Sequence, residues 1–345
     1  MNAGQRPTLK TIARISGLAV TTVSRALGNA PDISEETKKR VRGIAEEIGY
    51  VPNRAGVRLR TGKTNVISLV LATEHDTLNM TSSLIASISA GLQGTRYHLV
   101  MIPEPANQDS LQSIRYIVET RSADAIIFNR VEPEDERVVY LRSKGFPFAT
   151  HGRSNWAADH SFFDFDNVAF GKEAVETLAR RNRKRVLLLA PPLEQNYARH
   201  MVKGATQAAA ETGIALTVAH AFTSDDDRVT IRDGVTRYMQ EGAGFDALIS
   251  PSPNSTMISA ATVEALGHTI GQDIDILTKE TVPFLQFFRP AILAMKEDVQ
   301  KAGRFLAKAA VHEIESKDGS HMQEIDLPIL TDHSFQVLND AAARG

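Results

Sequence analysis

A run of eight residues, Val20 to Leu27, holds the side chains best suited to chemistry on another molecule. Thr21, Thr22, Ser24 and Arg25 alternate there with the apolar Val20, Val23, Ala26 and Leu27. At 3.6 residues per turn, Val23, Ala26 and Leu27 face inward and the polar set faces outward. Short hydroxyls and an Arg on such a helix reach base edges in a major groove. Arg25 can pair in bidentate fashion with guanine, and Val20 or Thr21 can meet a thymine methyl. The same pattern also fits an ordinary helical hairpin with a polar surface.

Catalytic patterns are weaker. Asp164 and Asp166 sit i, i+2 on an expected strand and share a face as a carboxylate pair would, but no second pair of ligands lies near them. The run Asp225-Asp226-Asp227 reads as a helix cap or a solvated stretch rather than a metal site. The ten His residues show no His-Glu-x-x-His pattern. Neither a Gly-x-Ser-x-Gly elbow nor a phosphate-cradling Gly loop with Lys-Ser/Thr is present. Zero Cys excludes disulfides, thiolate zinc sites and Cys nucleophiles, and suits the cytoplasm. The expectation is no enzyme, no metal and no cofactor.

The outward-facing set needs a scaffold, and the flanking sequence supplies one. An amphipathic run with Leu9, Ile12 and Ala13 on one face ends at Ser16-Gly17, where Gly accepts the left-handed conformation of a tight exit. The second run ends at Gly28-Asn29. A third helix starts at the N-cap Ser34, carries Glu35 and Glu36 in its first turn, aligns Val41, Ile44, Ala45 and Ile48 as a stripe, and stops at Gly49. Three such helices can share one core, with two of them forming a helix-turn-helix. The surface left over is basic. Residues 1–63 hold twelve Lys and Arg against five Asp and Glu, a net +7, so the rest of the chain carries −9 behind an overall −2. Such asymmetry is the signature of phosphate neutralisation at one end of a molecule.

These residues carry a resemblance. Thr8-Leu-Lys-Thr-Ile-Ala, Thr22-Val-Ser-Arg, Ile33-Ser-Glu-Glu-Thr, Gly49-Tyr-Val-Pro-Asn-Arg-Ala and Leu59-Arg-Thr-Gly-Lys-Thr64 resemble the N-terminal domain and hinge of the lactose-repressor (LacI/GalR) family of bacterial regulators. The likeness is dense over 8–64 and looser beyond. It implies DNA contacts by Thr8, Val20, Thr21, Thr22, Ser24, Arg25, Asn29, Tyr50, Asn53, Arg54, Arg58 and Leu59. The linker from Pro52 to Gly62 is about two turns of helix. That length is marginal in water, and Gly56 weakens it by about 1 kcal/mol relative to Ala. In the resembled family the hinge folds in the minor groove on operator binding, and paired Leu side chains wedge a central base step. Leu59 occupies the matching place. Gly56 departs from the usual Ala and makes hinge folding more dependent on DNA.

From Asn65 the periodicity changes. Short apolar runs at 66–71, 98–102, 124–128, 146–150, 186–190, 215–219 and 247–250 alternate with helical patterns at 80–93, 110–120, 170–180, 200–212 and 257–266. Strand-helix alternation implies α/β architecture with parallel sheets covered on both faces, and about 280 residues imply two lobes. The expected domains are 1–51 for the helix-turn-helix, 52–64 for the hinge and 65–345 for a two-lobed core that binds effector and dimerises. The resemblance implies a periplasmic-binding-protein-like core with three crossings, placed near Asp164, Pro290 and Glu324. The N-lobe is then about 65–163 and 293–323, and the C-lobe about 164–292 and 324–345. The tail from Ser334 is too short for sustained heptads. No apolar run reaches the ~18 residues of a membrane helix, and the polar start at 1–6 does not read as a signal peptide.

Ligands of open α/β sheets bind beyond the carboxyl ends of the strands, here the cleft between lobes. The resemblance places Asp166-Asn167 where the family has a cleft Asp. It replaces the family's ligand-gripping Arg by Met201, three residues before Gly204, with Arg199 two residues earlier. Ser252-Pro253 stands for an expected Asn-Asp, with Asn254 following, and Glu280 takes a later carboxylate role. The effector set is Arg153, Asp166, Tyr197, Arg199, Ser252 and Glu280, each with a structural alternative such as Asp166 capping the next helix. Tyr197, Trp156, Phe163 and Phe222 are aromatic candidates for stacking on a sugar or for the core. The sequence reads as a homodimeric, cytoplasmic repressor without membrane contact. It would read double-stranded DNA at an inverted-repeat operator under control of a sugar or polyol. A carbohydrate-binding protein or enzyme whose N-terminal helices serve partner contact, and a sequence-tolerant architectural DNA binder, are the alternatives.

Overall fold

The computed structural model describes residues 7–51, 58, 62–72, 80–104, 109–242, 244–281 and 285–331. The chain divides into two compact units, Met1–Thr64 and Asn65–Gly345.

In the first unit, α1 (Leu9–Ser16), α2 (Val20–Leu27) and α3 (Glu35–Glu47) follow local signals. Thr8 and Thr11 close a capping box at α1, and the Ser34 hydroxyl accepts from the Thr37 amide at α3. Gly17, at φ 69, turns the chain between α1 and α2. After α2 the left-handed position is Asn29, at φ 58, rather than Gly28. Ile12, Val23, Ala26 and Val41 are fully buried, and Leu9, Leu27, Ile44 and Ile48 pack around them. Each such aliphatic side chain contributes about 1.5–3 kcal/mol when fully buried, enough together to hold three short helices.

In the second unit the first lobe is built from β1 (Val66–Ala72), α4 (Met80–Gly91), β2 (His98–Glu104), α5 (Ser110–Thr120), β3 (Ala125–Phe128), α6 (Glu136–Lys144), β4 (Phe148–His151) and β5 (Ser161–Phe165). The second lobe follows with α7 (Asn167–Arg180), β6 (Arg185–Leu188), α8 (Asn196–Thr212), β7 (Ala215–Val218), α9 (Arg228–Gln240), β8 (Ala247–Ser250), α10 (Pro253–Ala265), β9 (Asp275–Glu280), α11 (Leu285–Phe288) and β10 (Leu293–Lys296). The chain then returns for α12 (Val299–Glu315) and β11 (Gln323–Asp326) and ends in β12 (Ile329–Thr331). One sheet runs β11-β5-β4-β3-β1-β2 and the other β12-β10-β9-β8-β6-β7. All pairings are parallel except β10 with β12. Parallel strands are covered on both faces, which is why β3 is Ala-Ile-Ile-Phe with every side chain buried.

The chain passes between the sheets at Asp166, at Glu297–Asp298 and at Leu327–Pro328. Each crossing lies a few residues beyond the positions expected at Asp164, Pro290 and Glu324. Residues 293–296 therefore belong with the second lobe and 324–326 with the first. A four-residue strand carries too little periodicity to announce its sheet; pairing of β10 with β9 and of β11 with β5 decides it. Within the second lobe α7 and α8 cross so closely that glycine is required on both. A Cβ on Gly204 would lie 2.0 Å from the Val168 carbonyl oxygen, and one on Gly171 2.2 Å from that of Met201. Among the described residues no helix is long and apolar enough to cross a membrane. The tail at 332–345 lies outside the described residues.

Candidate functional site

The outer face of α2 presents Val20, Thr21 and Arg25 to solvent, with Thr22 and Ser24 half-buried. Arg25 Nη2 lies 2.5 Å from Asp32 Oδ2, both side chains about half exposed. Such a pair contributes ~1 kcal/mol at most, so the guanidinium can exchange Asp32 for another acceptor. Asn29 Oδ1 accepts from Arg42 Nη2 at 3.0 Å, and the exposed Thr8 caps α1. Tyr50 is half-buried against the three-helix core, where desolvation raises its hydroxyl pKa. Arg58 is exposed. Asn53, Arg54 and Leu59, and with them the expectation of a wedging hinge, lie outside the described residues.

In the second unit a cavity of about 430 Å³ opens between the lobes at the carboxyl ends of both sheets. Asn129 and Arg130 follow β3, His151 ends β4, Asp164 lies in β5, and Met80, Thr81 and Leu84 come from α4. The second lobe contributes Asn167, Tyr197, Ser224, Asp225, Lys279 and the segment 251–254, with Met257 and Ile258 of α10; Glu297 stands at a crossing. The size lies within the roughly 300–1,000 Å³ of small-molecule sites.

Its floor is ionic. Lys279 Nζ lies 2.9 Å from Glu297 and 3.4 Å from Asn167 Oδ1, over the rings of Phe165 and Tyr197. Arg153 Nε donates to Asp164 at 2.6 Å. Burial nevertheless raises the Asp164 carboxyl to about 6, with Arg153 opposing the rise. Burial also holds the His151 imidazole below its ordinary pKa, although Glu297 lies 4.0 Å away. Among the described residues, contacts between the lobes include Arg130 to Asp225 at 3.0 Å, and Asn196, whose amide donates to the Val131 carbonyl and whose Nδ2 donates to that of Arg153.

Of the effector residues expected from sequence, Tyr197 and Ser252 line this cavity and Arg153 touches it only through Asp164. The other three lie off its lining. Asp166 caps α7, its Oδ1 accepting from the Val168 and Ala169 amides. Arg199 is exposed and donates to the Leu193 carbonyl. Glu280 is buried but accepts from the Leu285 amide. Strand alternation explains the last: Lys279 is turned into the cavity, which turns its neighbour away. Of the aromatic candidates, Phe163 and Phe222 are core residues and Trp156 packs against a core. Asp227 caps α9, whereas Asp225 reaches the cavity. Asn129, Arg130, His151, Asp225 and Lys279 were missed by sequence reading. Asn129 and His151 could have been found, because each directly follows an apolar run.

A helix-turn-helix unit joined in one chain to a two-sheet α/β core with a ligand-sized cavity between its lobes defines a ligand-responsive, DNA-binding regulator. Residues 8–53 match the model for bacterial regulatory proteins of the lacI family, and residues 64–331 match that for periplasmic binding proteins and the sugar binding domain of the LacI family. The chain belongs to the LacI family, and it is a transcriptional regulator rather than an enzyme. It is 28% identical to the HTH-type transcriptional regulator AglR of Rhizobium meliloti (strain 1021), over 92% of this chain and 90% of that one. It is 34% identical to the regulator RafR of Escherichia coli over 60% of this chain and 62% of that protein. In fold it is similar to a lac repressor dimer bound to operator and the anti-inducer ONPF, at TM-score 0.78 and 18% identity, over 95% of this chain and 98% of that one. A CelR–cellobiose complex aligns at TM-score 0.67 and 19% identity, over 94% and 98% of the two chains.

Proposed function

We propose that this regulator acts as a cytoplasmic homodimeric repressor that reads an inverted-repeat operator, and that a sugar or polyol seated in the interlobe cavity controls its affinity for that operator. The cavity carries the reading: both lobes line it, and contacts such as Arg130–Asp225 span it, so a bound molecule changes the relation of one lobe to the other. The solved relatives are consistent, one being complexed with cellobiose and one with operator and an anti-inducer. On the DNA side the readers are Val20, Thr21, Thr22, Ser24 and Arg25, supported by Thr8, Asn29 and Tyr50, with Asn53, Arg54, Arg58 and Leu59 serving the hinge. On the effector side Tyr197 offers a stacking face, Ser252, Asn129 and Asn254 offer hydrogen bonds, and Arg153 orients Asp164.

Selection of bound sequences from randomised duplex DNA by the full chain tests this. The expected product is one inverted repeat whose half-sites share a core. Enrichment of unrelated sequences, or of a single half-site with no symmetric partner, refutes the dimeric operator reading.

A further inference from the structure

We propose that the pair Arg130–Asp225 makes the cavity a charge filter, so that it accepts an uncharged polyhydroxylated ligand and rejects anionic or cationic counterparts of the same shape. The proposal rests on the interlobe cavity being the effector site. Among the described residues, every charged side chain on its lining faces an opposite charge: Arg130 meets Asp225 at 3.0 Å, Lys279 meets Glu297 at 2.9 Å, and Asp164 meets Arg153 at 2.6 Å. His151 is the remaining basic side chain on the described lining, and burial holds its imidazole below the ordinary pKa, with Glu297 opposing.

Three pairs sum to no net charge. A carboxylate that captured Arg130 would strand Asp225, and an ammonium that captured Asp225 would strand Arg130. The surroundings include Met80, Leu84, Pro191 and Met257, which cannot solvate a stranded charge. A ligand that fills the cavity displaces the water that now reaches the pair, and removing one partner of a pair so desolvated costs more than a replacement contact returns. A sugar hydroxyl meets no such penalty, because it can accept from the guanidinium and donate to the carboxylate while the pair stays intact.

The pair is also held in place. Arg130 adopts φ 54, a conformation that needs outside support in a residue with a side chain. Arg137 supplies it: Nη2 donates to the carbonyls of Asn129 and Arg130 at 3.2 and 2.9 Å, while Arg137 is itself buried against Asp135 and the Phe128 ring. On the other lobe the Ser224 hydroxyl donates to Asp225 Oδ1 at 3.0 Å. Both members of the pair keep some exposure, 22% and 19%, so an entering ligand's charge meets them directly.

Calorimetric titration of the full chain with matched probes tests the filter, using neutral mono- and disaccharides alongside the uronic-acid and amino-sugar forms of each. The wild type is expected to bind a neutral probe about 10-fold or more tightly than its charged forms. Asp225→Asn should gain uronate binding by a similar factor, Arg130→Gln should gain amino-sugar binding, and the double variant should prefer the neutral probe. Charged probes bound by the wild type as tightly as the neutral one, or single variants with unaltered charge preference, overturn the filter while leaving the cavity as the binding site. Absence of binding by any probe to wild type and variants overturns the cavity as a sugar site and the filter with it.

Discussion

Gly204→Ala puts one methyl group where two helices meet. In an exposed helix interior the change stabilises by about 1 kcal/mol, because Ala loses less backbone freedom on folding. Here the new Cβ would lie 2.0 Å from the Val168 carbonyl oxygen and 2.8 Å from its carbon, both backbone atoms that cannot rotate away. Reaching an ordinary contact requires about 1.4 Å of added separation between α7 and α8, and a gap of even 0.5–1 Å forfeits a quarter to a half of each dispersion contact along an interface. The interface lost includes Phe170, Ala174, Met201, Ala205 and Ala208. Overpacking of this kind costs about 3 kcal/mol or more. Against the propensity gain, the net is a loss of about 2 kcal/mol, or roughly 4–8 °C in the melting midpoint of a domain this size. Both helices begin at the cavity, with Asn167 on α7 and Tyr197 on α8, so ligand affinity should fall as well. Calorimetric melting of the full chain reads the effect, with Gly43→Ala as control: Gly43 lies in α3 with nothing within 4 Å of a built Cβ, and Ala there should stabilise the small unit. A Gly204→Ala core that melts at or above the wild-type midpoint would refute the close crossing.

Three further outcomes follow from single side chains. Arg25→Ala should cost about 1–3 kcal/mol on the selected operator and relax preference at one position per half-site; equal losses on operator and scrambled duplex in a filter-binding assay would reduce Arg25 to a phosphate contact. Asp32→Ala removes the acid that holds Arg25 and should strengthen DNA binding at low salt by a few-fold, within the ~1 kcal/mol of an exposed pair; an unchanged isotherm would show that the pair does not compete with DNA. Asp164 has a folded-state pKa raised from 3.8 to about 6, so the folded chain binds more protons than the unfolded one between those values. Its contribution is therefore lost as pH rises from about 4 to about 6. Asp164→Asn should flatten that part of the denaturation profile, and parallel profiles would assign the slope to other groups.

The first unit was legible because its signals are local: Gly17, Ser34 and the apolar stripe at Val41, Ala45 and Ile48 each act within a few residues of the element they shape, and only the Thr8 cap went unread. The strand at 247–250 was equally plain, with three apolar residues in a row and all four buried. β9 was not. Its sequence Asp-Ile-Leu-Thr-Lys-Glu is half charged, yet all six residues are buried. Asp275 is tolerated because Arg181 and Arg183 reach it at 2.9 and 2.6 Å, and Lys279 because Glu297 neutralises it. Those partners are distant in sequence, so hydropathy alone assigns the stretch to a loop and loses the cavity's central cation with it. The acids were displaced for a related reason. Asp166 and Glu280 fit the carboxylate positions that the family resemblance implies, but a helix start needs a cap and strand alternation can turn only one of two neighbours inward.

If a ligand in the interlobe cavity controls the operator-reading face, the coupling between the two binding sites must be reciprocal. The direct measurement is the affinity of the full chain for a neutral sugar, by calorimetry, with and without saturating operator duplex, paired with the operator affinity with and without saturating sugar. The two ratios are expected to be equal and to lie in the range of about 5–150-fold. In Tyr197→Ala the sugar response should vanish while operator affinity stays at the wild-type value. A sugar affinity that is the same with and without operator would contradict the account, even if both molecules bind.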